Sequence, residues 1–256
     1  MSGVLAVIRK ELTIYFSTAI FYITGFFFLV LGGYFFYSNL VYYSLLSFQG
    51  GQNPQLAALL NPHQMIFRPL FGTLAIVFIM MVPLLTMRLL AEEKRSGTAE
   101  LLFTYPLTDW AVILGKFFSA LLVYALLLLF TLSYALLFAS LAKLDWGPIL
   151  SSYLGLLLLG GACLSLGLFA SSLTENQIIA AVIAFALLLL IWLIGWQAEL
   201  DTSGLSGFFA ALSMLEHFEN FIKGVVDTRD LIYFLSFILF FLFLTKRQLE
   251  SRHWRA

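Results

Sequence analysis

The sequence predicts an all-α polytopic membrane protein. Of its 256 residues, 61% are apolar and only 11% are charged, and the mean hydropathy is +0.96. Globular proteins average roughly 45–50% apolar and about 25% charged residues. A helix needs about 20 mostly apolar residues to cross a hydrocarbon core about 30 Å thick. Several stretches meet that requirement, so we expect a bundle of membrane-spanning helices.

The first element is the N-terminal segment, residues 1–18. One helical face is apolar and comprises Val4, Ile8, Leu12 and Tyr15. The charged residues that lie away from this face are Arg9, Lys10 and Glu11. This pattern predicts an amphipathic helix in the headgroup layer. A simple extension of the first span, with its charged end in water, fits the same residues equally well.

Six spans are expected after this segment. Five are strongly apolar and run over about 19–46, 69–87, 110–141, 149–173 and 178–196. The sixth contains an apolar run of only 14 residues, 231–244, which is also compatible with an interfacial or buried element. We count it as a span because extension over 227–248 gives the required length. Asp230 then lies at one headgroup layer, and Lys246 and Arg247 reach the other.

The distribution of basic residues predicts the topology. Six spans place both termini on one side, and ten of the 14 Lys and Arg residues fall on that side. Basic residues favour the cytoplasmic side, so both termini are expected in the cytoplasm. The ten are Arg9, Lys10, Arg88, Lys94, Arg95, Lys116, Lys246, Arg247, Arg252 and Arg255, against Arg68, Lys143, Lys223 and Arg229.

The spans contain no ionisable residue near their middle, where an ion-driven transporter needs one. Charged residues near the span ends are expected to be interfacial anchors; they are Arg88, Lys116, Lys143 and Glu175. The Gly115–Lys116 pair lacks the earlier glycine and the following Ser or Thr of a nucleotide-binding loop. The chain is therefore expected to be no enzyme, and energy for transport would come from a separate ATPase.

The segment 91–109 collects charge on the cytoplasmic side of the second and third spans. Helix can continue from the second span through Glu92, Glu93 and Arg95 until Gly97 ends it. Thr98 can then cap a short helix over 99–103, in which Glu100 lies near the positive N-terminus and which Pro106 ends. Thr108 or Asp109 can cap the third span. This build suits a docking element, and an ordinary solvated loop explains it about equally well.

Two other connections carry weaker signals. The inner turn between the fourth and fifth spans, 171–177, is a polar hairpin with Thr174 as a candidate helix cap. The outer segment 197–230 has apolar residues at helical spacing, which predicts short re-entrant or interfacial helices that dip into the outer leaflet.

Other functional classes have less support. The string Gly204–Gly207 (GLSG), followed by His217, matches the nucleophile region of rhomboid-type intramembrane proteases. Such a protease needs Ser and His to face each other on spans, whereas both lie in the outer segment here. Glu216, His217 and Glu219 do not share one tight helical face, so no metal is expected. A passive channel or structural membrane subunit remains an alternative, although it leaves the docking segment unexplained.

Leu89–Phe117 (LLAEEKRSGTAELLFTYPLTDWAVILGKF) resembles the cytoplasmic segment of ABC-2-type permeases, and Ala170–Leu193 resembles the branch that contains the gliding-motility-associated permeases. The resemblance covers nearly the whole chain. It implies one transmembrane domain over 1–256, an N-terminal interfacial helix, a coupling helix within 91–109, and re-entrant outer helices. The implied coupling residues are Glu92, Glu93, Arg95, Gly97, Thr98, Glu100 and Pro106.

The same resemblance implies the partners. A permease of this kind works as a pair, with a second copy or a homologous chain, and binds two ABC ATPase subunits. ATP and Mg²⁺ would bind to those ATPases, and no cofactor to this chain. An auxiliary membrane or extracytoplasmic subunit is a further candidate partner, the lipid bilayer is the expected surroundings, and no nucleic acid is expected. The implied function is export across the inner membrane of a bacterium or archaeon.

Overall fold

The computed structural model describes residues 3–50, 61–97, 108–200 and 211–253, with side chains at all of these except 50, 196–200 and 252–253. These residues form nine α-helices and one π-helical turn, His63–Phe67, and contain no strand. The helices are α1 Gly3–Ser17, α2 Ala19–Gly50, α3 Arg68–Thr86, α4 Arg88–Arg95, α5 Asp109–Leu141, α6 Trp146–Leu173, α7 Gln177–Leu200, α8 Met214–Ile222 and α9 Thr228–His253.

Six helical stretches are long and apolar enough to cross a membrane, which confirms the predicted fold class. The last one, Thr228–Ser251, is long enough because the helix begins shortly before the short apolar run and continues well beyond its end. The second stretch, His63–Arg95, is longer than its predicted 69–87 because the π-helical turn, α3 and α4 follow one another almost without interruption.

The fourth span, α6, forms the centre of the bundle. Buried residues make up 78% of its most apolar stretch, against 22% to 56% in the other spans. Glycines on α6 let its neighbours approach closely. A Cβ at Gly160 would lie 2.0 Å from Tyr124 of α5, and one at Gly155 would lie 2.5 Å from Phe221 of α8. Small residues allow this close packing where every neighbour is apolar.

The N-terminal helix α1 is separate from the first span. It ends at Ser17, a bend follows at Thr18, and α2 begins at Ala19. α1 packs along α5, where a Cβ at Gly115 would lie 2.6 Å from Val7. Its Leu5 and Phe16 remain exposed, so a second apolar face points away from the bundle. The structure therefore favours the separate amphipathic helix over an extension of the first span.

The short helix α8 enters the bundle rather than lying across its end. Its Phe218 and Phe221 are buried against α6, and the Met214 sulfur lies 3.9 Å from the Cys163 sulfur. Cys163 is past the midpoint of α6, counted from Trp146. α8 therefore packs inside the helix bundle, and its re-entrant insertion into a membrane stays a prediction.

Candidate functional site

A buried charge cluster joins three helices at the end of the bundle that contains α1 and α4. Lys116 of α5 is 1% exposed, and its Nζ lies 2.6 Å from Glu11 Oε1 of α1 and 2.9 Å from Glu93 Oε1 of α4. Lys10 Nζ donates to the same Glu93 oxygen at 2.7 Å. We call these four residues the Lys116 cluster. Lys10 is partly exposed, whereas Lys116 and Glu11 are buried and depend on their partners, because an unpaired ion away from water is costly.

The prediction that Lys116 and Arg88 are interfacial anchors was wrong. Both are buried, Lys116 because Glu11 and Glu93 neutralise it. The Arg88 guanidinium carbon lies 4.9 Å from the ring centre of Tyr15, and Nη2 has no hydrogen-bond partner among the described residues. The partners of Lys116 come from distant parts of the chain, so span-end position alone did not reveal them.

The orientation predicted for the Glu11 side chain was also wrong. It was expected to point away from the packed face of α1, but it is buried together with Val7 and Tyr15. These three residues are four positions apart, so helical spacing could have indicated a common face. The charge of Glu11 concealed this, because charged residues are almost never buried unless paired.

A second set of contacts holds α4 to α6. The Ser171 hydroxyl accepts hydrogen bonds from the backbone N–H of Leu90 at 3.0 Å and of Ala91 at 3.1 Å, and it donates to the carbonyl of Met87 at 3.0 Å. The Lys94 ammonium donates to the Ser172 carbonyl. Nothing in the sequence singled out Ser171, because a serine near a span end has no characteristic spacing.

The predicted coupling residues lie in different settings. Glu93 belongs to the Lys116 cluster, whereas Glu92 and Arg95 are exposed on α4. Gly97 has φ of +69°, which favours glycine, and the helix ends before it as expected. Thr98, Glu100, Pro106 and the short helix expected over 99–103 lie outside the described residues.

Two capping predictions have clear outcomes. Thr108 caps α5, since its side chain accepts from the Ala111 N–H. Thr174 does not cap α7: its hydroxyl accepts from the Asn176 N–H at 3.1 Å, and the Asn176 side chain accepts from the Ile178 N–H at 2.9 Å. Asn176 therefore caps α7, because it is the residue directly before the helix.

At the opposite end of the bundle, polar contacts hold α8 against two spans. Glu219 Oε1 lies 2.5 Å from Arg68 Nη2 of α3, and Glu219 Oε2 lies 3.1 Å from Lys223 Nζ. Partial burial opposes ionisation of Glu219, but hydrogen bonds and charge from Lys223 and Arg68 prevail and lower its pKa below the usual value. This carboxylate is therefore ionised at neutral pH.

A histidine makes the contact between α8 and α9. His217 Nδ1 lies 2.6 Å from Asp230 Oδ1, and Nε2 lies 3.2 Å from the Ala211 carbonyl. Asn220 donates to the other Asp230 oxygen at 3.0 Å. Asp230 was expected in a headgroup layer, but it is buried because these two side chains of α8 cover it.

These contacts bear on the alternative functions. The Gly204–Gly207 string lies outside the described residues. Both ring nitrogens of His217 already face oxygen atoms, so neither is directed at a serine. The described part of the chain contains no group of three or more His, Cys, Asp or Glu side chains that could hold a metal ion.

The helical bundle with six membrane-spanning stretches defines a multi-pass membrane protein. A family model described as ABC-2 family transporter protein matches residues 5–245. The chain therefore belongs to the ABC-2 transporter family, as the resemblance implied. It is a permease, a membrane subunit without its own nucleotide-binding domain, of a family that works with ABC ATPase subunits. A comparison with curated proteins gives no match.

Proposed function

We propose that this permease is the membrane subunit of an ATP-driven exporter whose separate ABC ATPase docks on the segment 91–109. The observation that carries the proposal is the bonding of α4. This helix is joined to α1 and α5 through the Lys116 cluster and to α6 through Ser171 and Ser172. A displacement of α4 would therefore act on three other helices at once.

The proposed topology places α4 and both termini in the cytoplasm of a bacterium or archaeon, with the chain in the inner membrane. The excess of Lys and Arg on that side supports this orientation. The exposed apolar face of α1 would then lie in the inner headgroup layer, where Leu5 and Phe16 contact lipid and Arg9 faces the headgroups.

The proposed assembly has two permease chains and two ATPase subunits. The second permease is another copy or a homologue, and an auxiliary membrane or extracytoplasmic subunit is a further candidate. ATP and Mg²⁺ bind to the ATPases and none to this chain. The direction of transport and the gliding-motility branch rest on the sequence resemblance alone, and the cargo is left open.

Co-purification with candidate ABC ATPases, co-expressed with the permease, tests this proposal. Glu92 is exposed on α4, and Glu92→Lys reverses one charge on the proposed docking surface. The matched control is Glu216→Lys, which makes the same change at an exposed position of α8, at the other end of the bundle. We expect a stable complex that hydrolyses ATP, at least tenfold weaker binding for Glu92→Lys, and unchanged binding for Glu216→Lys.

Two results would oppose the proposal. If no complex forms with any candidate ATPase, the exporter is excluded and a channel or structural subunit becomes the better explanation. If both charge reversals weaken binding equally, the docking surface does not lie at α4.

A further inference from the structure

The boundary between α3 and α4 is an interruption within one long helical stretch. α3 ends at Thr86, α4 begins at Arg88, and Met87 is the residue between them. Pro83, one turn earlier, lacks the N–H that would pair with the Ile79 carbonyl, but the Met87 N–H still donates to the Pro83 carbonyl at 2.9 Å. The helical ladder is therefore interrupted just after Met87, where the second span continues into α4.

The Ser171 hydroxyl is inserted at this interruption. In an uninterrupted helix, the Leu90 N–H would donate to the Thr86 carbonyl four residues earlier. Here the hydroxyl accepts from Ala91 at 3.1 Å and donates to Met87 at 3.0 Å, and it also accepts from Leu90 at 3.0 Å. A hydroxyl has one donor and two acceptor sites, so all three are in use. Insertion of a side chain into the ladder is a recognised cause of a local break in a helix.

The surrounding packing keeps α6 against the same boundary. Gly167, one turn before Ser171, lies so close to Thr86 that an added Cβ would be 2.3 Å from its hydroxyl oxygen. Thr86 and Ser171 are completely buried, so water does not compete for these hydrogen bonds. One turn beyond, Lys94 reaches the Ser172 carbonyl. The C-terminal end of α6 therefore contacts the boundary between α3 and α4 through three residues: Gly167, Ser171 and Ser172.

We propose that Ser171 is a positioning residue that links α4 mechanically to the fourth span. Without its hydroxyl, the Leu90 N–H can pair with the Thr86 carbonyl, so the second span continues unbroken into α4. The three hydrogen bonds of Ser171 are then lost, and of the hydrogen bonds described above only that of Lys94 to the Ser172 carbonyl still joins α4 to α6. With the hydroxyl, α4 can move only if the end of α6 follows or three hydrogen bonds break together. This inference deepens the proposed function, since the displacement of α4 would come from the docked ATPase.

Native-state hydrogen–deuterium exchange on the isolated permease tests the link without an ATPase. In the wild type, the amides of 87–95 and 165–173 should become exchangeable together, with the same dependence on denaturant. Ser171→Ala should separate the two segments, which then open independently. The matched control is Ser172→Ala: that serine is equally buried, but its hydroxyl donates only to Phe169 of its own helix, and its carbonyl is retained.

Two results would overturn the inference. The two segments could open together in Ser171→Ala as in the wild type, or Ser172→Ala could separate them equally. If Ser171→Ala does not fold, Ser171→Cys keeps a side chain of similar shape while it weakens each hydrogen bond. Partial separation of the segments is expected for that variant, and opening as in the wild type would contradict the link.

The complex with the ATPase gives the functional measurement. Binding of a non-hydrolysable ATP analogue should change exchange in both segments of the wild type, and only in 87–95 of Ser171→Ala. A wild-type permease that binds no ATPase would refute the proposed function but not the link, which the isolated protein tests. A bound ATPase whose nucleotide changes 165–173 equally in Ser171→Ala would refute the link alone.

Discussion

At the scale of single residues, the end of the bundle that contains α1 and α4 depends on charged residues whose pairing the sequence alone does not reveal. Lys116 and Glu11 are 105 positions apart in the chain. The Lys116 Nζ nevertheless lies 2.6 Å from a carboxylate oxygen of Glu11 and 2.9 Å from one of Glu93. The ammonium group of Lys116 compensates two carboxylates, one of which is almost completely buried. Removing the lysine would leave Glu11 without a counterion.

Lys116→Met tests this dependence. Loss of one partner of a buried ion pair typically destabilises a protein by about 3–5 kcal/mol. We expect a correspondingly large fall in the thermal midpoint of the detergent-solubilised permease, because α1 loses its attachment to α5. Adding Glu11→Gln to this variant should restore much of the loss, since no buried charge then remains unpaired. Lys143→Met, at an exposed position, is the control and should have little effect; an equal effect there would contradict the role of the cluster.

At the scale of helices, the close approach of α5 and α6 depends on a missing side chain. The Tyr124 ring is stacked on that of Phe78, with 3.6 Å between the ring centres. Its hydroxyl donates to the Leu156 carbonyl at 3.1 Å, and the ring contacts Gly160. Tyr124 is therefore fixed on several sides and cannot retreat from an added methyl group.

Gly160→Ala should consequently destabilise the bundle by about 1–3 kcal/mol, the usual cost of overpacking. The matched control is Gly72→Ala in α3, where an added Cβ meets no atom within 4 Å. That substitution should be neutral or stabilise by up to about 1 kcal/mol, since alanine favours helix. Thermal unfolding of the two variants measures the difference, and equal midpoints would disprove the close-packed contact.

The docking of α8 also belongs to this scale, and Cys163 reports on it. This single cysteine of the chain is buried beside Met214, so movement of α8 away from α6 would help a maleimide to reach it. Glu219→Gln removes the negative charge that pairs with Arg68 and Lys223. Because the Arg68 and Glu219 side chains are partly exposed, at 43% and 44%, their ion pair is worth at most about 1 kcal/mol. The labelling rate of Cys163 should therefore rise by up to about fivefold.

The same carboxylate gives a pH dependence. Its pKa is lowered in the folded protein, so its contribution is present above the unfolded value, near 4.5, and is lost as pH falls through the lower folded value. Exchange of the α8 amides, corrected for intrinsic pH effects, should consequently show weaker protection in acid. Glu216→Gln changes an exposed residue of the same helix and should alter neither measurement. If it matches Glu219→Gln in both, the ion pair with Arg68 does not hold α8.

At the scale of the whole molecule, composition and helical periodicity were sufficient to predict the fold. Long apolar stretches can cross a bilayer only as helices, and six of them were counted correctly. The interruption at Gly97 and the cap at Thr108 were also predicted, because glycine and threonine act locally at helix ends. These features depend on residues close together in the chain.

The contacts that hold the candidate site together could not be predicted in this way. Ser171 meets Leu90 and Ala91 across 80 or more positions, and Asp230 is buried only because α8 folds back onto α9. Neither contact leaves a periodic signal in the sequence. Charge at a span end was interpreted as an anchor, whereas tertiary packing converts Lys116 and Arg88 into buried residues.

The central claim, that the ATPase binds at α4, is tested most directly by site-specific photo-crosslinking in membranes. A photoreactive amino acid would replace exposed Arg95 of α4 or, in a matched experiment, exposed Lys143 between α5 and α6, at the opposite end of the bundle. The account predicts a crosslink to the ATPase from position 95 and none from position 143. A crosslink from position 143, or none from position 95 in an assembled and active complex, would contradict it.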